Sequence, residues 1–429
     1  MRIAIVGTGI SGLVAAYLLS REHEVTVFEA NGYIGGHTHT IPVERFGRQY
    51  AVDTGFIVFN PRTYPNFVEL LDQLGVESQP TTMSFSVRCE RTDLEYNGTD
   101  LNRLFSQRRN VLRPSFYRML TDILRFYREA PALLTTADES LTLGDYLLRA
   151  RYSQPFIDWH LIPLGAAIWS ADPRRMLEFP ARHLIEFFSR HGFLQVGGRP
   201  GWRVIRGGSH EYVGPLVRGF RDRIRLRCAV RTIARTHAGV RVTAHGSGPE
   251  RFDAVVLATH SDQALSLLAD ASRAEREILG AIPYQRNEVV LHTDARLLPR
   301  SPRAWAAWNY HLLPTVGAAA ALTYNMNILQ GIESPEPFCV TLNRGAAIDP
   351  AKVITRMTYH HPVYTRAALT AQRRWAEING VNRTYFCGAY WGDGFHEDGV
   401  KSALAVSGRF GLGLRDGVSP QRLASANAA

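Results

Sequence analysis

The residues with the plainest chemical purpose are three glycines. Gly7-Thr8-Gly9-Ile10-Ser11-Gly12 lies between an apolar run at residues 3–6 and a helical pattern, and a second strand pattern at residues 24–28 leads into Glu29. Gly7 permits a tight turn, Gly9 lets the backbone approach a pyrophosphate, and Gly12 lets the helix pack close to the strand. Ile10 and Ser11 open that helix, whose N-terminal N–H groups and positive dipole end attract phosphate. Glu29 falls 17 residues after Gly12, placed to accept hydrogen bonds from a ribose, with Ala30 beside it. Strand, turn, helix and second strand together make a dinucleotide fingerprint in full context, which a lone glycine pattern is not.

Elsewhere the chemistry-bearing residues are sparser. His396-Glu397-Asp398 reads in two ways. One is an acid/base cluster in which His396 acts on or orients a substrate. The other is a hydrogen-bonded helix start with Glu397 and Asp398 as turn residues. His360-His361 precedes Pro362, which favours an extended strand end, and the expectation there is a position without a ligand role. Tyr390 and Trp391 either line a pocket or pack in a core. No serine–histidine–acid set and no metal-ligand spacing stands out, so no metal is expected. Cys89, Cys228, Cys339 and Cys387 are scattered, as reduced, mostly buried thiols would be.

The elements that must position these groups belong to a chain of 429 residues, a length that favours two domains or one domain with a large insertion. Hydrophobic content of 45% and charged content of 21% are ordinary for a globular protein. No apolar run approaches the ~18 residues of a membrane span. A first strand beginning at Arg2 leaves no room for a cleavable leader, so a cytoplasmic location is expected. The net charge is +10, and Lys352 and Lys401 are the only lysines. That excess favours anionic partners such as phospholipid surfaces or phosphorylated ligands. No nucleic-acid-binding module is present, so no nucleic-acid partner is expected.

Helical patterns cover residues 61–75, 101–134 and 140–190. Short strand patterns follow at residues 224–226, 230–233, 240–243 and 253–258, then at 288–292 and 319–326. A last strand at residues 384–388 precedes a helix expected from about Val400 to Phe410, and the tail from Ser419 is expected to fray. The nucleotide-binding elements therefore stand at the start, middle and end. The fold class expected is α/β: a Rossmann-type doubly wound domain (residues 1–75, 197–265 and 375–429) interleaved with an α+β substrate domain (residues 76–196 and 266–374).

These spaced elements resemble the flavin-containing amine oxidase-like superfamily over nearly the whole chain. Three motifs carry the resemblance toward FAD: the pair Gly35-Gly36, followed by His37 and Thr38; Val230-x-x-Ile233 with the later strand into Ala258-Thr259; and Phe386-Cys387-Gly388 through Glu397-Asp398-Gly399-Val400. The resemblance implies bound FAD, with Val230 at its adenine end and the Gly399-Val400 backbone at a helix start facing the flavin pyrimidine. Three positions depart from the usual pattern. His37 stands where an arginine is usual, Ala389-Tyr390 where an acidic residue is usual, and His396 where an aromatic cages a substrate amine. Lys401 is the one lysine close in sequence to the flavin segment, and is the candidate for the lysine that many relatives place near the reacting flavin atom. Runs such as Trp305-Ala306-Ala307-Trp308-Asn309-Tyr310 and His361-Pro362-Val363-Tyr364 are similar to bacterial flavoproteins often encoded beside cyclopropane-fatty-acid-synthase-like methyltransferases. That context implies hydride removal, desaturation or isomerisation on a lipid acyl chain. An amine or amino-acid oxidase, or a flavin-bound partner subunit of such a methyltransferase, are the alternatives.

Residues 101–130 have a texture of their own. Leu104, Phe105, Leu112, Phe116, Leu120, Ile123, Leu124 and Phe126 supply apolar surface, and Arg103, Arg108, Arg109, Arg113, Arg118, Arg125 and Arg128 supply charge, opposed by Asp122 and Glu129. Such a segment either lies in the interface of an anionic membrane, which would place the protein peripherally on the inner face, or forms a substrate-domain helix pair with a solvated arginine face.

Overall fold

The computed structural model describes residues 1–135, 140–198, 200–314 and 321–415; the tail from Ser419 and residues 319–320 of the expected strand lie outside these. Aliphatic Arg2–Val6 is the middle strand of a five-stranded parallel sheet. Across the sheet the order is Ile224–Arg225, Glu24–Phe28, Arg2–Val6, Ala254–Leu257, Thr384–Phe386. Strands covered on both faces read as continuous apolar runs, as residues 3–6 and Ala254–Leu257 do. Alternate residues explain the layers. Ile3 and Ile5 face the helices, whereas Ala4 and Val6 face an antiparallel meander of Val230–Thr236, Gly239–Ala244 and Pro249–Phe252. On the helical side Ile10–Leu19 meets the last helix, His396–Gly408. The contact depends on Gly399, where a Cβ would stand 2.6 Å from Ile10 Cγ2 and 2.9 Å from Ser11 Oγ. This helix begins at His396, four residues before the expected Val400.

A seven-stranded mixed sheet forms the second body. Its order is Val353–Pro362, Tyr284–His292, Cys339–Leu342, Ala321–Asn325, Trp308–Leu312, Phe85–Cys89, Leu94–Asn97. All pairs are antiparallel except Trp308–Leu312 with Phe85–Cys89. Helices Pro114–Glu129, Leu143–Arg149 and Ala181–Arg190 pack beside it around buried Phe116, Phe126, Phe156, Phe187 and Phe188, each worth about 1.5–3 kcal/mol of burial.

Two helical expectations are corrected. The stretch 101–134 is a short helix, Leu101–Leu104, a 3-10 turn, Arg108–Leu112, then Pro114–Glu129 and a further 3-10 turn, Ala130–Thr135. Pro114 has no N–H to donate backward, so it starts a helix and cannot continue one. The expected helix 61–75 runs Pro65–Leu74, stopped by Gly75 at φ 69°. Pro163 lies inside helical structure and cannot bond the Trp159 carbonyl one turn back. There the backbone loosens into a π turn, Ile157–Leu161, and the Tyr96 hydroxyl donates to Trp159 O at 2.8 Å instead.

Candidate functional site

A cavity of about 740 Å³ opens at the carboxyl ends of the parallel strands and runs between the two bodies. That is where open α/β sheets bind ligands. Its one end is the glycine loop. Gly7 has φ +104°, and a Cβ there would be 2.8 Å from Ala258 O, so only glycine lets the two strand ends meet. A Cβ on Gly12 would collide with the Gly7 carbonyl oxygen and come within 3.1 Å of Ala258 Cβ. Gly9 differs, because a Cβ there meets nothing within 4 Å. Its missing side chain leaves open the space that a phosphate would fill at the N-terminus of helix Ile10–Leu19.

Glu29 lines the cavity, yet its carboxylate is already held. One oxygen accepts from Thr8 N–H at 2.9 Å and Thr8 Oγ1 at 2.5 Å; the other accepts from Asn31 N–H at 2.8 Å and Asn31 Nδ2 at 2.9 Å. A carboxylate has about four acceptor positions. The expected ribose bond therefore requires Asn31 or Thr8 to yield one of them.

The structure sorts the remaining expected site residues into two groups. Ile10, Ser11, Ala30, Gly36, His37, Val230, Ala258, Thr259, Gly388 and His396 join Gly7, Gly9 and Glu29 on the cavity wall. Gly12, Gly35, Thr38, Gly399, Val400 and Lys401 stand behind it. Gly35, at φ +133°, shapes the turn in which Thr38 N–H donates to Gly35 O at 3.0 Å. Gly399 and Val400 are buried, and Gly399 meets the first helix, because the last helix starts earlier than expected; the N-terminus it presents to the cavity is Phe395 and His396. Lys401 is one residue past buried Val400, and a helical step of about 100° turns it outward. Its side chain is 53% exposed, and Nζ lies 3.9 Å from Glu397. It is therefore not the lysine beside the reacting atoms.

His396 is likewise recast. Its ring stacks on Phe56 at 3.5 Å and meets Phe67 edge-on at 5.5 Å. Nε2 is 3.0 Å from Thr38 Oγ1 and 3.2 Å from Tyr212 OH, which are themselves 2.5 Å apart. Burial, then the neighbouring His37, holds its pKa well below the ordinary imidazole value, so it is neutral. A ring stacked on one face and held at one nitrogen is a fixed part of the wall. Glu397 accepts from Asn66 N–H at 3.2 Å, Asn66 Nδ2 at 2.5 Å and Phe67 N–H at 2.9 Å, so it caps the helix Pro65–Leu74 from across the fold. Asp398 accepts from Asp393 N–H and Phe395 N–H, each at 3.0 Å.

The far end of the cavity is apolar, walled by Met83, Ile168, Trp169, Phe187, Phe193 and Trp308. Two groups there were not singled out from sequence. The Tyr364 hydroxyl is buried without a hydrogen-bond partner among the described residues, and burial with Asp398 and Asp393 nearby raises its pKa well above the phenol value. Asp393 is bound by Arg190 Nη2 at 2.9 Å, with His183 Nε2 at 3.4 Å. His260, His360 and His361 also line the wall beside His37, the last two at the extended strand end that Pro362 implies. A histidine directly after the strand end Ala258-Thr259 was the signal available for His260, since ligands gather at strand carboxyl ends.

The cavity, with open space at Gly9 and a buried His37 Nε2 that has no hydrogen-bond partner among the described residues, fits a dinucleotide. Gly7, Gly9 and the helix start would hold the pyrophosphate, Glu29 the ribose, and Val230 the adenine end.

Comparison with known proteins gives the same answer. Residues 10–302, more than half the chain, match the family of flavin containing amine oxidoreductases. Among curated proteins, protoporphyrinogen oxidase 2 of Arabidopsis thaliana is 27% identical over 179 residues, covering 40% of this chain and 33% of that protein. A 4,4'-diapophytoene desaturase of Staphylococcus haemolyticus is 32% identical over 139 residues, covering 30% of this chain and 27% of the desaturase. The chain thus matches about a third or less of the length of these relatives. Among solved structures, cyclohexylamine oxidase from Brevibacterium oxydans aligns with TM-score 0.67 at 18% identity, covering 96% of this chain and 99% of that one. A fatty acid isomerase from P. acnes that produces CLA aligns with TM-score 0.66 at 16% identity, covering 95% and 98%. These two show the fold. The chain belongs to the flavin-containing amine oxidoreductase family, and its cofactor is FAD.

Proposed function

We propose that this FAD-dependent oxidoreductase takes hydride from a lipid acyl chain, in a dehydrogenation, desaturation or isomerisation, and not from an amine. One observation carries the reading: the substrate end of the cavity offers apolar walls and no free carboxylate. Among the described lining residues the acidic ones are Glu29, at the nucleotide end, and Asp393, already paired with Arg190. An ammonium ion entering there would be desolvated without a counter-charge, which costs several kcal/mol, on the order of the whole binding energy of a small amine. The aromatic cage position is also occupied by His396, whose ring is stacked on Phe56. A relative named as a diapophytoene desaturase and a fold neighbour named as a fatty acid isomerase support the acyl reading; the amine-oxidase neighbours support the alternative.

Bound FAD supplies the two-electron acceptor. The chain supplies position and dryness. Trp169, Phe187 and Trp308 hold an alkyl chain by area, at about 25 cal/mol per Å² buried. The buried Tyr364 hydroxyl, without a hydrogen-bond partner among the described residues, is a neutral donor for a polar atom of the substrate. Anaerobic mixing tests this reading. Oxidised flavin should bleach with an unsaturated fatty acyl lipid and stay yellow with monoamines and polyamines. Bleaching by amines with lipids inert would establish the amine alternative. A flavin that neither reduces, in a protein bound stably to a lipid methyltransferase, would make it a partner subunit.

An acyl substrate resides in a bilayer, so we infer that the protein docks there through residues 101–130. Leu112 is 86% and Leu101 74% exposed, with Tyr117 and Leu124 also exposed on the helix that follows. Arg103, Arg108, Arg109, Arg118 and Arg128 are exposed around them. Arg103, Arg109 and Arg128 are paired with Asp100, Asp93 and Glu129, and each arginine not so paired adds about 1 kcal/mol at an anionic lipid surface, which the apolar tips also match.

A further inference from the structure

Four histidines from three separate elements converge on the cavity wall beside the glycine loop. His37 follows Gly36, where a Cβ would stand 3.0 Å from Gly9 Cα, so this turn leans directly on the phosphate glycine. His260 follows Ala258, whose backbone abuts Gly7, and Thr259, whose side-chain methyl reaches it. His360 and His361 come from the end of strand Val353–Pro362 in the other body. The His37 ring is 6.0 Å from that of His260 and 5.7 Å from that of His361; the His260 and His360 rings are 6.3 Å apart.

What surrounds these rings is neutral, including His396, which neighbours His37 and is held below the ordinary imidazole value by burial. Tyr359 lies 4.8 Å from His37, and Tyr284 stacks on His260 at 4.5 Å. Asn287 Nδ2 is 2.8 Å from His361 Nδ1, and His39, on the same loop as His37, bonds Tyr359 OH at 2.9 Å. No carboxylate is among the groups that shift His37, His260 or His361. Burial, reinforced by the neighbouring histidines, pushes His37 and His260 down to about 4 and His361 to about 3. His37 Nε2 is buried with no hydrogen-bond partner among the described residues. Burying an imidazole nitrogen without a partner costs about 1–3 kcal/mol, which a site keeps only if something fills it.

We propose that His37, ringed by His260, His360 and His361, binds the pyrophosphate of FAD as a protonated cation, so that FAD brings a proton into the protein when it binds. The proton comes from solvent and ends on an imidazole nitrogen facing a phosphate oxygen; no other bond changes. The inference holds whichever substrate the enzyme uses, and rests only on FAD lying along the glycine loop. An oxyanion within about 4–6 Å raises a neighbouring cationic group's pKa by about 1–3, enough to carry His37 from about 4 toward neutrality. The sign follows. Between its free and bound values the histidine is neutral in the empty protein and charged in the complex. FAD affinity therefore falls about tenfold per pH unit as pH rises through that interval, and is flat above it.

The test is calorimetric titration of FAD into the full chain stripped of flavin, at pH 6.0 in two buffers of different ionisation heat, with FAD affinity followed from pH 5.5 to 7.5. The expected result is a binding heat that depends on the buffer, equivalent to about half a proton or more taken up, and an affinity that drops about tenfold or more across the range. His37→Arg supplies a charge that does not titrate. It should bind FAD with less proton uptake and a flatter pH dependence. His37→Gln should bind about tenfold or more weakly at pH 6, with circular dichroism confirming the fold. Equal heats in both buffers with a pH-independent affinity in the wild type would overturn the proposal. So would wild-type proton uptake in His37→Arg, or loss of all flavin from a folded His37→Arg protein. Should either variant fail to fold, the two-buffer comparison of the wild type alone decides.

Discussion

Gly9 and Gly12 are three residues apart in one motif, and the structure assigns them opposite reasons for being glycine. Gly9 has φ −65° and ψ 173°, a conformation any residue adopts, and a Cβ there meets nothing within 4 Å. Gly9→Val should therefore fold. The exchange of an N-cap glycine for valine costs about 1 kcal/mol at most, partly offset by a stiffer unfolded chain. The loss appears in cofactor binding, because the side chain occupies the space through which phosphate oxygens reach the N–H groups of the helix start. Losing two charge-assisted hydrogen bonds at about 1.5–3 kcal/mol each weakens FAD by about 10²–10⁴-fold. Gly12→Ala places its Cβ against the Gly7 carbonyl oxygen and 3.1 Å from Ala258 Cβ. Backbone must move, the helix lifts from the strand, and stability falls by about 2–4 kcal/mol. The assay is paired: chemical denaturation of each flavin-free protein, and FAD titration by fluorescence quenching. Gly9→Val should show near-normal stability with little flavin, and Gly12→Ala lowered stability. Full FAD occupancy in Gly9→Val, or equal destabilisation in both, would refute this division of roles.

Four further outcomes follow from the geometry. Glu397→Ala should destabilise the protein by about 2–3 kcal/mol in urea unfolding, since it strips Asn66 and Phe67 N–H groups of their shared acceptor. Flavin reduction in His396→Gln should keep the wild-type pH profile, because a ring held neutral does not titrate in the working range; a lost inflection near pH 6 would return His396 to acid/base duty. His292 accepts the Asp294 N–H at Nδ1 and bonds Thr341 Oγ1 at 2.7 Å, and burial lowers it to about 4. Its contribution is whole above its unfolded pKa of about 6.5 and is lost as pH falls toward 4, by about 3 kcal/mol in all, so His292→Gln should flatten acid destabilisation in that window by about one proton. Leu112→Glu combined with Arg108→Glu should lower sedimentation with anionic vesicles while leaving the flavin spectrum unchanged; wild-type sedimentation would leave residues 101–130 an ordinary solvated surface.

What was legible in the sequence was what short spacing encodes. The fingerprint at residues 3–29 needs only a strand, a turn and a helix in succession, and its glycines stand where that succession puts them. The buried strand before Ala258 was legible for the same reason. Misplacements came where one residue overrides a pattern. Pro114 was visible within the basic 101–134 segment, yet the apolar periodicity runs on both sides of it and hides the break. Lys401 was chosen by closeness in sequence to the flavin segment, but a helix turns about 100° per residue, and the step from Val400 moves a side chain from core to solvent. Glu397 looked like a turn residue because the helix it caps is 330 positions away.

The histidines show the same limit and explain it. His37, His260 and His360-His361 are each unremarkable singly, and no periodicity links them, because three elements must fold before the rings come within about 6 Å. The seam that assembles them also assembles the apolar wall, yet at the opposite end of one cavity. Charge-dependent contacts with a ligand therefore gather at the nucleotide end, and apart from the Asp393–Arg190 pair the substrate end offers a ligand area-dependent ones. Salt and pH act on the first kind and hardly on the second. A change at His37 should shift how firmly FAD is held without changing which substrate is chosen, and a change at Phe187 or Trp308 should do the reverse. If the two ends were instead coupled through His396, which touches the loop at Thr38 and the wall at Phe56, replacing His37 would alter substrate preference as well. Measuring the ratio of lipid to amine reduction in His37→Arg at saturating FAD separates these cases: an unchanged ratio means independent ends, and a changed one makes the stacked ring of His396 the link between them.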